Sequence, residues 1–144
     1  MRIQLVPVGT PTRAGNIYTK EAFAPHFQLG SQFLERIKNG SMLGEITTPR
    51  PAKHDTTDLE RFKLFATRVK EIRHDRVCLQ ITDATLEDDG IYGMIKPIGP
   101  YGSAVQGIID RGETPAVGMR SFTRNLNGVI EVAHIITFDL IPPL

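Results

Sequence analysis

Cys78 is the one cysteine in 144 residues, which excludes an internal disulfide and any cysteine-based zinc cluster. It sits in an apolar run, Val77-Cys78-Leu79, and reads as a small buried hydrophobe. Charge of one sign is also missing: 17 Lys and Arg against 16 Asp and Glu leave +1. The chain therefore carries no electrostatic footprint for nucleic acid or an anionic membrane, and neither is expected as a partner. No apolar run approaches the roughly 20 residues of a membrane span, and the N-terminus lacks a secretory pattern, so a cytosolic location is expected. No glycine-rich phosphate loop, dinucleotide fingerprint or metal-spaced histidines occur; neither cofactor nor metal is expected. Repeats, low-complexity runs and linkers are absent as well, which predicts one domain over residues 1–144.

What is present is glycine, proline and β-branched residues, the composition of a strand-rich, loop-rich domain. Met1 to Val8 reads as a first strand, and Thr19 caps a short helix that Pro25 interrupts. Ser31 to Lys38 has Phe33, Leu34 and Ile37 on one helical face and stops at Asn39-Gly40. Met42 to Thr47 reads as a short strand, and the stretch from Pro49 to Thr57 as a long loop of the kind that often carries function. Asp58 is placed to cap a helix through Lys63, whereas Leu64 to His74 is ambiguous and is read as helix passing into strand. Arg76 to Leu86 and Ile91 to Ile98 form a hairpin about Asp88-Asp89-Gly90, followed by an amphipathic helix from Ser103 to Arg111 with Gly112 as its cap. The fold class expected is α+β: mainly an antiparallel β-barrel or sheet with a few helices around it.

Two strand-like runs flank Asn127-Gly128 near the C-terminus, the dipeptide of a type I′ turn. A two-residue loop with regular pairing sets Leu126 opposite Val129, Arg124 opposite Glu131 and Ser121 opposite His134. Direct cross-strand neighbours have Cβ atoms roughly 4.5–5.5 Å apart, so this register predicts that a hydroxyl meets an imidazole, as nucleophile and base do. The plain alternative is a core histidine beside Val132, Ile136 and Phe138, with serine as an ordinary strand residue. Glu45 is read as an arginine partner before a catalytic acid, His26 as a surface residue, and Glu87-Asp88-Asp89 as a solvated turn, too few oxygens for a cation site.

Four stretches, in order, resemble the prohead maturation proteases of tailed bacteriophages, distant relatives of herpesvirus assemblin. Gly15-Asn16-Ile17-Tyr18 with Thr19-Lys20-Glu21 is similar to the family's Asn-Gly-Arg-x-Tyr segment. Gly44-Glu45-Ile46-Thr47-Thr48-Pro49 is similar to Gly-Glu-Leu-x-His-Pro. Gly90-Ile91-Tyr92-Gly93 and Gly99-Pro100-Tyr101-Gly102, with the helix after them, form the third stretch. The fourth, Val117 to Ser121, resembles Gly-x-Ser-Ser-Arg and is followed by Ile136-Thr137-Phe138-Asp139-Leu140. The resemblance implies an assemblin-like barrel ringed by helices and a serine endopeptidase working inside the immature phage head in the host cytoplasm. Its substrates or neighbours would be scaffold and capsid proteins, usually cut after acidic residues; a homo-oligomer is left open.

The departures fall where the chemistry would be. The family histidine aligns with Thr48, and the usual nucleophilic serine with Arg120, leaving Ser121 to match the second serine of that motif. Three readings fit. In the first, Ser121 is the nucleophile, His134, His54 or His74 its base, Arg120 an oxyanion stabiliser and Asp139 a weak candidate to orient the base. In the second, the fold persists without catalysis as a head protein. In the third, the chain is an unrelated β-barrel binding module.

Overall fold

Short polar side chains start the first two helices where expected. In the computed structural model, which describes residues 1–48 and 59–143, the Thr19 hydroxyl accepts from the Ala22 amide and the Ser31 hydroxyl from the Leu34 amide. These caps open α1 (Lys20–Phe23) and α2 (Gln32–Lys38). Pro25 ends α1 but not the coiling, since Ala24–Phe27 continues as a short 3₁₀ turn. Before α1 lies β1 (Arg2–Pro7), and after α2 come β2 (Leu43–Glu45) and α3 (Leu59–Lys70). The chain then runs β3 (Val77–Glu87), β4 (Gly90–Pro97), α4 (Gly102–Asp110), β5 (Ala116–Leu126) and β6 (Val129–Ile141). Among the described residues no helix is long and apolar enough to cross a membrane.

The strands form two antiparallel sheets, β1-β4-β3-β2 and β5-β6. A parallel bridge between Ile46 and Leu140, with the Thr47 amide donating to the Leu140 carbonyl at 3.0 Å, joins the end of β2 to β6. The spatial order is thus β1-β4-β3-β2-β6-β5, curled until β5 comes round to face β1. Gly44 permits the junction: a Cβ there would lie 2.1 Å from the Phe138 carbonyl oxygen, so any side chain would hold β2 off β6. The enclosed core includes Phe23, Phe33, Leu79, Ile81, Val105 and Phe138, which is an α+β barrel with helices packed on it.

One stretch differs from its sequence reading. Residues 64–70 are helical throughout, not helix passing into strand. Thr67, whose alternation with Phe65 and Val69 suited a strand, donates its hydroxyl to the Lys63 carbonyl at 3.0 Å. Val69 is buried, and Phe65 and Ala66 lie on its side of the helix at i, i+4 and i, i+3 spacing. The Asp58 cap and the loop from Pro49 to Thr57 lie outside the described residues.

Candidate active site

The terminal hairpin turns as expected: Asn127 (φ 52°) and Gly128 (φ 84°) supply the two left-handed positions, and Leu126/Val129 and Arg124/Glu131 are paired. Farther out the register slips twice. Thr123 pairs with Val132 but Phe122 with His134, and Ser121 pairs with Ile135 but Arg120 with Thr137. Ala133 and Ile136 are therefore extra residues of β-bulges. The expected Ser121/His134 pair does not form; Phe122 takes the place opposite His134. Adjacent strand residues point to opposite faces, so Ser121 shares its face with Ile135, and His134 is exposed on the other.

Side chains from the helices hold those bulges. The half-buried His26, not the surface residue anticipated, brings Nε2 within 2.7 Å of the Val132 carbonyl. Arg36 of α2 donates from Nη1 to the Ile135 carbonyl (3.3 Å) and the Ile136 carbonyl (2.5 Å). Carbonyls freed by the irregular ladder are thereby satisfied, as buried backbone groups must be.

Next to the second bulge lies a buried ion network. Arg120 is 3% exposed, and Glu45 and Asp139 are fully buried. Arg120 Nε and Nη2 donate to the two Asp139 carboxylate oxygens at 2.9 and 2.6 Å, and Nη2 also reaches Glu45 Oε2 at 3.0 Å. Nη1 donates to the carbonyls of Val69 (3.2 Å) and Glu71 (2.8 Å) at the C-terminal end of α3. A guanidinium has five N–H groups, and all five are used. Arg120 has no donor left for an oxyanion; its place is structural, as a cap on the free carbonyls of α3 and a tie from that helix to β6.

Glu45 also receives both Nη atoms of Arg68 (2.6 and 3.1 Å) and the Arg73 amide (3.2 Å), with Arg76 Nε 3.5 Å away. Burial alone would raise its pKa. The hydrogen bond from Arg68, the Arg73 amide and Arg120 outweigh that and hold it at about 2. Asp139 takes the Glu45 amide at 2.9 Å besides Arg120, so both of its oxygens are committed to the network. Glu45 does pair with arginine; of its other partners, Arg68 gave no signal until α3 was known to be helical through Lys70, and Arg76 comes from the 3₁₀ turn before β3.

Arg76 supports one further feature. Thr47 has φ 64°, uncommon for a β-branched residue and strained. Its amide is bonded to Leu140, its hydroxyl accepts from Arg76 Nη2 at 2.9 Å, and the same nitrogen reaches the Ile46 carbonyl at 2.6 Å. The next residue, Thr48, lines a cavity of about 380 Å³ between α3 and β5 together with Phe65, Val69, Met119, Ser121 and Phe122. The second and fourth resembling stretches thus meet at one cleft. Of the histidines, His74 is exposed in the 3₁₀ turn before β3 and His54 lies outside the described residues. Cys78 is buried and free, and burial pushes its thiol up to about 12, which leaves it inert. Among the described residues no group of His, Cys, Asp and Glu is arranged to hold a metal ion.

The sequence pattern of the Peptidase S80 family matches residues 2–143. The chain belongs to the Peptidase S80 family. Within reach of this family member is the capsid maturation protease of Pseudomonas phage phiKZ, 26% identical over 145 residues that cover 92% of this chain and 53% of the relative. The S80 chain spans about half the length of that relative. In fold it is similar to the capsid assembly protease gp21 of bacteriophage T4, with a TM-score of 0.57, 17% identity, and coverage of 99% of this chain and 76% of the other. At that identity the likeness speaks for the fold. It agrees with the barrel ringed by helices that the sequence resemblance implied.

Proposed function

We propose that this S80 chain is a serine endopeptidase of phage head maturation, acting on scaffold and capsid proteins inside the prohead in the host cytoplasm. The observation that carries the proposal is the family match over residues 2–143 combined with Ser121 lining the cleft beside Thr48, where the family's two motifs meet. In this reading the Ser121 hydroxyl attacks the scissile carbonyl, its proton passes through a histidine to the leaving amine, and water releases the acyl group. His134 is displaced from Ser121 by the bulges. His54 is the base we propose: six residues after Thr48 in sequence, it is within about 20 Å of chain reach from that cleft wall. With Arg120 fully bonded, the oxyanion falls to backbone amides.

Fluorophosphonate labelling with an intact-mass readout tests the proposal, because the reagent reports an activated serine without a known substrate. Labelling lost in Ser121→Ala and in His54→Ala, but kept in His74→Ala and His134→Ala, is expected. A folded protein that never labels sinks the catalytic assignment and leaves a non-catalytic head protein.

A further inference from the structure

The face of the terminal hairpin opposite Ser121 carries Phe122 and His134 as a direct pair. Between that face, α2 and the end of α3 lies a cavity of about 380 Å³. Gln32 and Arg36 of α2, Lys70 of α3 and His134 supply its polar lining; Phe122 and the bulge residues Ile135 and Ile136 supply the apolar part. Phe122 also lines the cleft that contains Ser121, so one ring stands in the wall of both spaces.

The ionisable lining is of one sign: two cations and an imidazole, with no carboxylate among the described residues. Glu35 and Glu71, chain neighbours of Arg36 and Lys70, are exposed and lie outside it, and Glu71 pairs with Arg73 at 2.9 Å. Arg36 spends Nη1 on the two bulge carbonyls, whereas its Nε and Nη2 meet no acceptor among the described residues. That edge is the one with which Arg120 grips Asp139 through two parallel bonds. Arg36 is half-buried; burial first, and the charge of Arg120 second, lower its pKa from the ordinary arginine value, as befits a cation short of a counter-charge. Lys70 holds Nζ 5.7 Å from the centroid of the Phe122 ring, which keeps a second charge at the cavity wall.

We infer that this cavity binds a small aliphatic dicarboxylate, one carboxylate on the Nε–Nη2 edge of Arg36 and the other between Lys70 and His134. The ligand class follows from the complement. Two coplanar oxygens match a guanidinium edge, and the side-chain amide of Gln32 can donate to either end. Phe122, Ile135 and Ile136 suit methylenes better than a bare inorganic ion, and about 380 Å³ falls within the range of small-molecule sites. Bound there, the ligand ties α2 and α3 to the bulged hairpin and holds Phe122, so it acts on the Ser121 cleft from the opposite face, as an effector. That effect on Ser121 rests on the catalytic reading above; the binding does not.

Titration calorimetry with glutarate, at an ionic strength held constant with chloride, tests the site. Saturable binding is expected, weakened at least about tenfold in the double variant Lys70→Gln/His134→Gln. Both positions are exposed, so the fold is not at stake. Arg36→Lys keeps the charge but loses the two-pronged edge, and a loss of at least about fivefold is expected there. Inorganic phosphate and a capped Gly-Glu-Glu-Gly peptide serve as comparisons, each expected to bind more weakly than glutarate. Absence of saturable glutarate binding, or equal affinity in the double variant, overturns the inference. Tighter binding of phosphate overturns the dicarboxylate class, and tighter binding of the peptide gives the site to a protein segment instead. The effector role is read from the rate of fluorophosphonate labelling of Ser121, expected to change at least about threefold on saturation with glutarate in wild type and not in the double variant. An unchanged rate despite binding removes that role. If wild type never labels, the catalytic reading falls by itself, and calorimetry still decides the site.

Discussion

Arg120 and Asp139 meet inside the protein as a two-pronged pair, Nε to Oδ2 at 2.9 Å and Nη2 to Oδ1 at 2.6 Å. That contact sets β5 against β6, while the remaining donors of Arg120 bind Glu45 on β2 and the end of α3. Replacing Arg120 by Met leaves buried Asp139 without its cation and takes one arginine from Glu45, which keeps Arg68. A loss of about 3–5 kcal/mol is expected by denaturant unfolding. Arg120→Lys recovers little of it, since an ammonium cannot span both carboxylates and two carbonyls. A loss below about 1 kcal/mol, the range of exposed pairs, would mean that the network is not load-carrying.

The depressed pKa of Glu45 gives a pH dependence with a definite sign. Because its folded value, about 2, lies below the ordinary 4.5, the unfolded chain takes up the proton first as pH falls. Stability from this group is complete above about 4.5 and declines as pH drops toward 2, by on the order of 3 kcal/mol in all. Urea midpoints measured across that range should fall more steeply for wild type than for Glu45→Gln. Parallel curves would assign the acid sensitivity elsewhere.

At the second bulge, Arg36 satisfies the carbonyls of Ile135 and Ile136. Arg36→Met preserves the side chain's packing but leaves those acceptors unpaired, so a loss of about 2 kcal/mol is expected. Amide exchange in β6 around Ile135 should quicken at the same time. Unaltered exchange there would show that water replaces the guanidinium without consequence.

Thr47 tests the strain beside the cleft. Asn tolerates a left-handed backbone better than a β-branched residue does, and its side-chain oxygen can still accept from Arg76. Thr47→Asn is expected to stabilise the fold by about 1 kcal/mol, a rise of a few degrees in Tm. A fall in Tm would mean that the threonine methyl contributes more than the strain costs.

Much of this could be read from the chain. Thr19 and Ser31 cap helices by local hydrogen bonding, and Asn127-Gly128 makes its turn because those residue types accept positive φ. The Gly44-Glu45 pair was legible as part of a motif, although its reason, close approach to Phe138 and a charge for three arginines, was not. The ambiguous stretch after Leu64 was decided by Val69 finding a buried place on one helix side.

Apart from the stretch after Leu64, the sequence by itself determined the main elements, their order and the turn that launches the final hairpin, because caps, turns and periodicity act over a few residues. The tertiary structure alone decided which residues face each other far from that turn. Two bulges, held by His26 and Arg36 from distant helices, carried His134 away from Ser121. A slip of one residue in a strand reverses a side chain's face, and the groups that fix the slip lie about a hundred residues away in the chain, beyond the reach of any local rule.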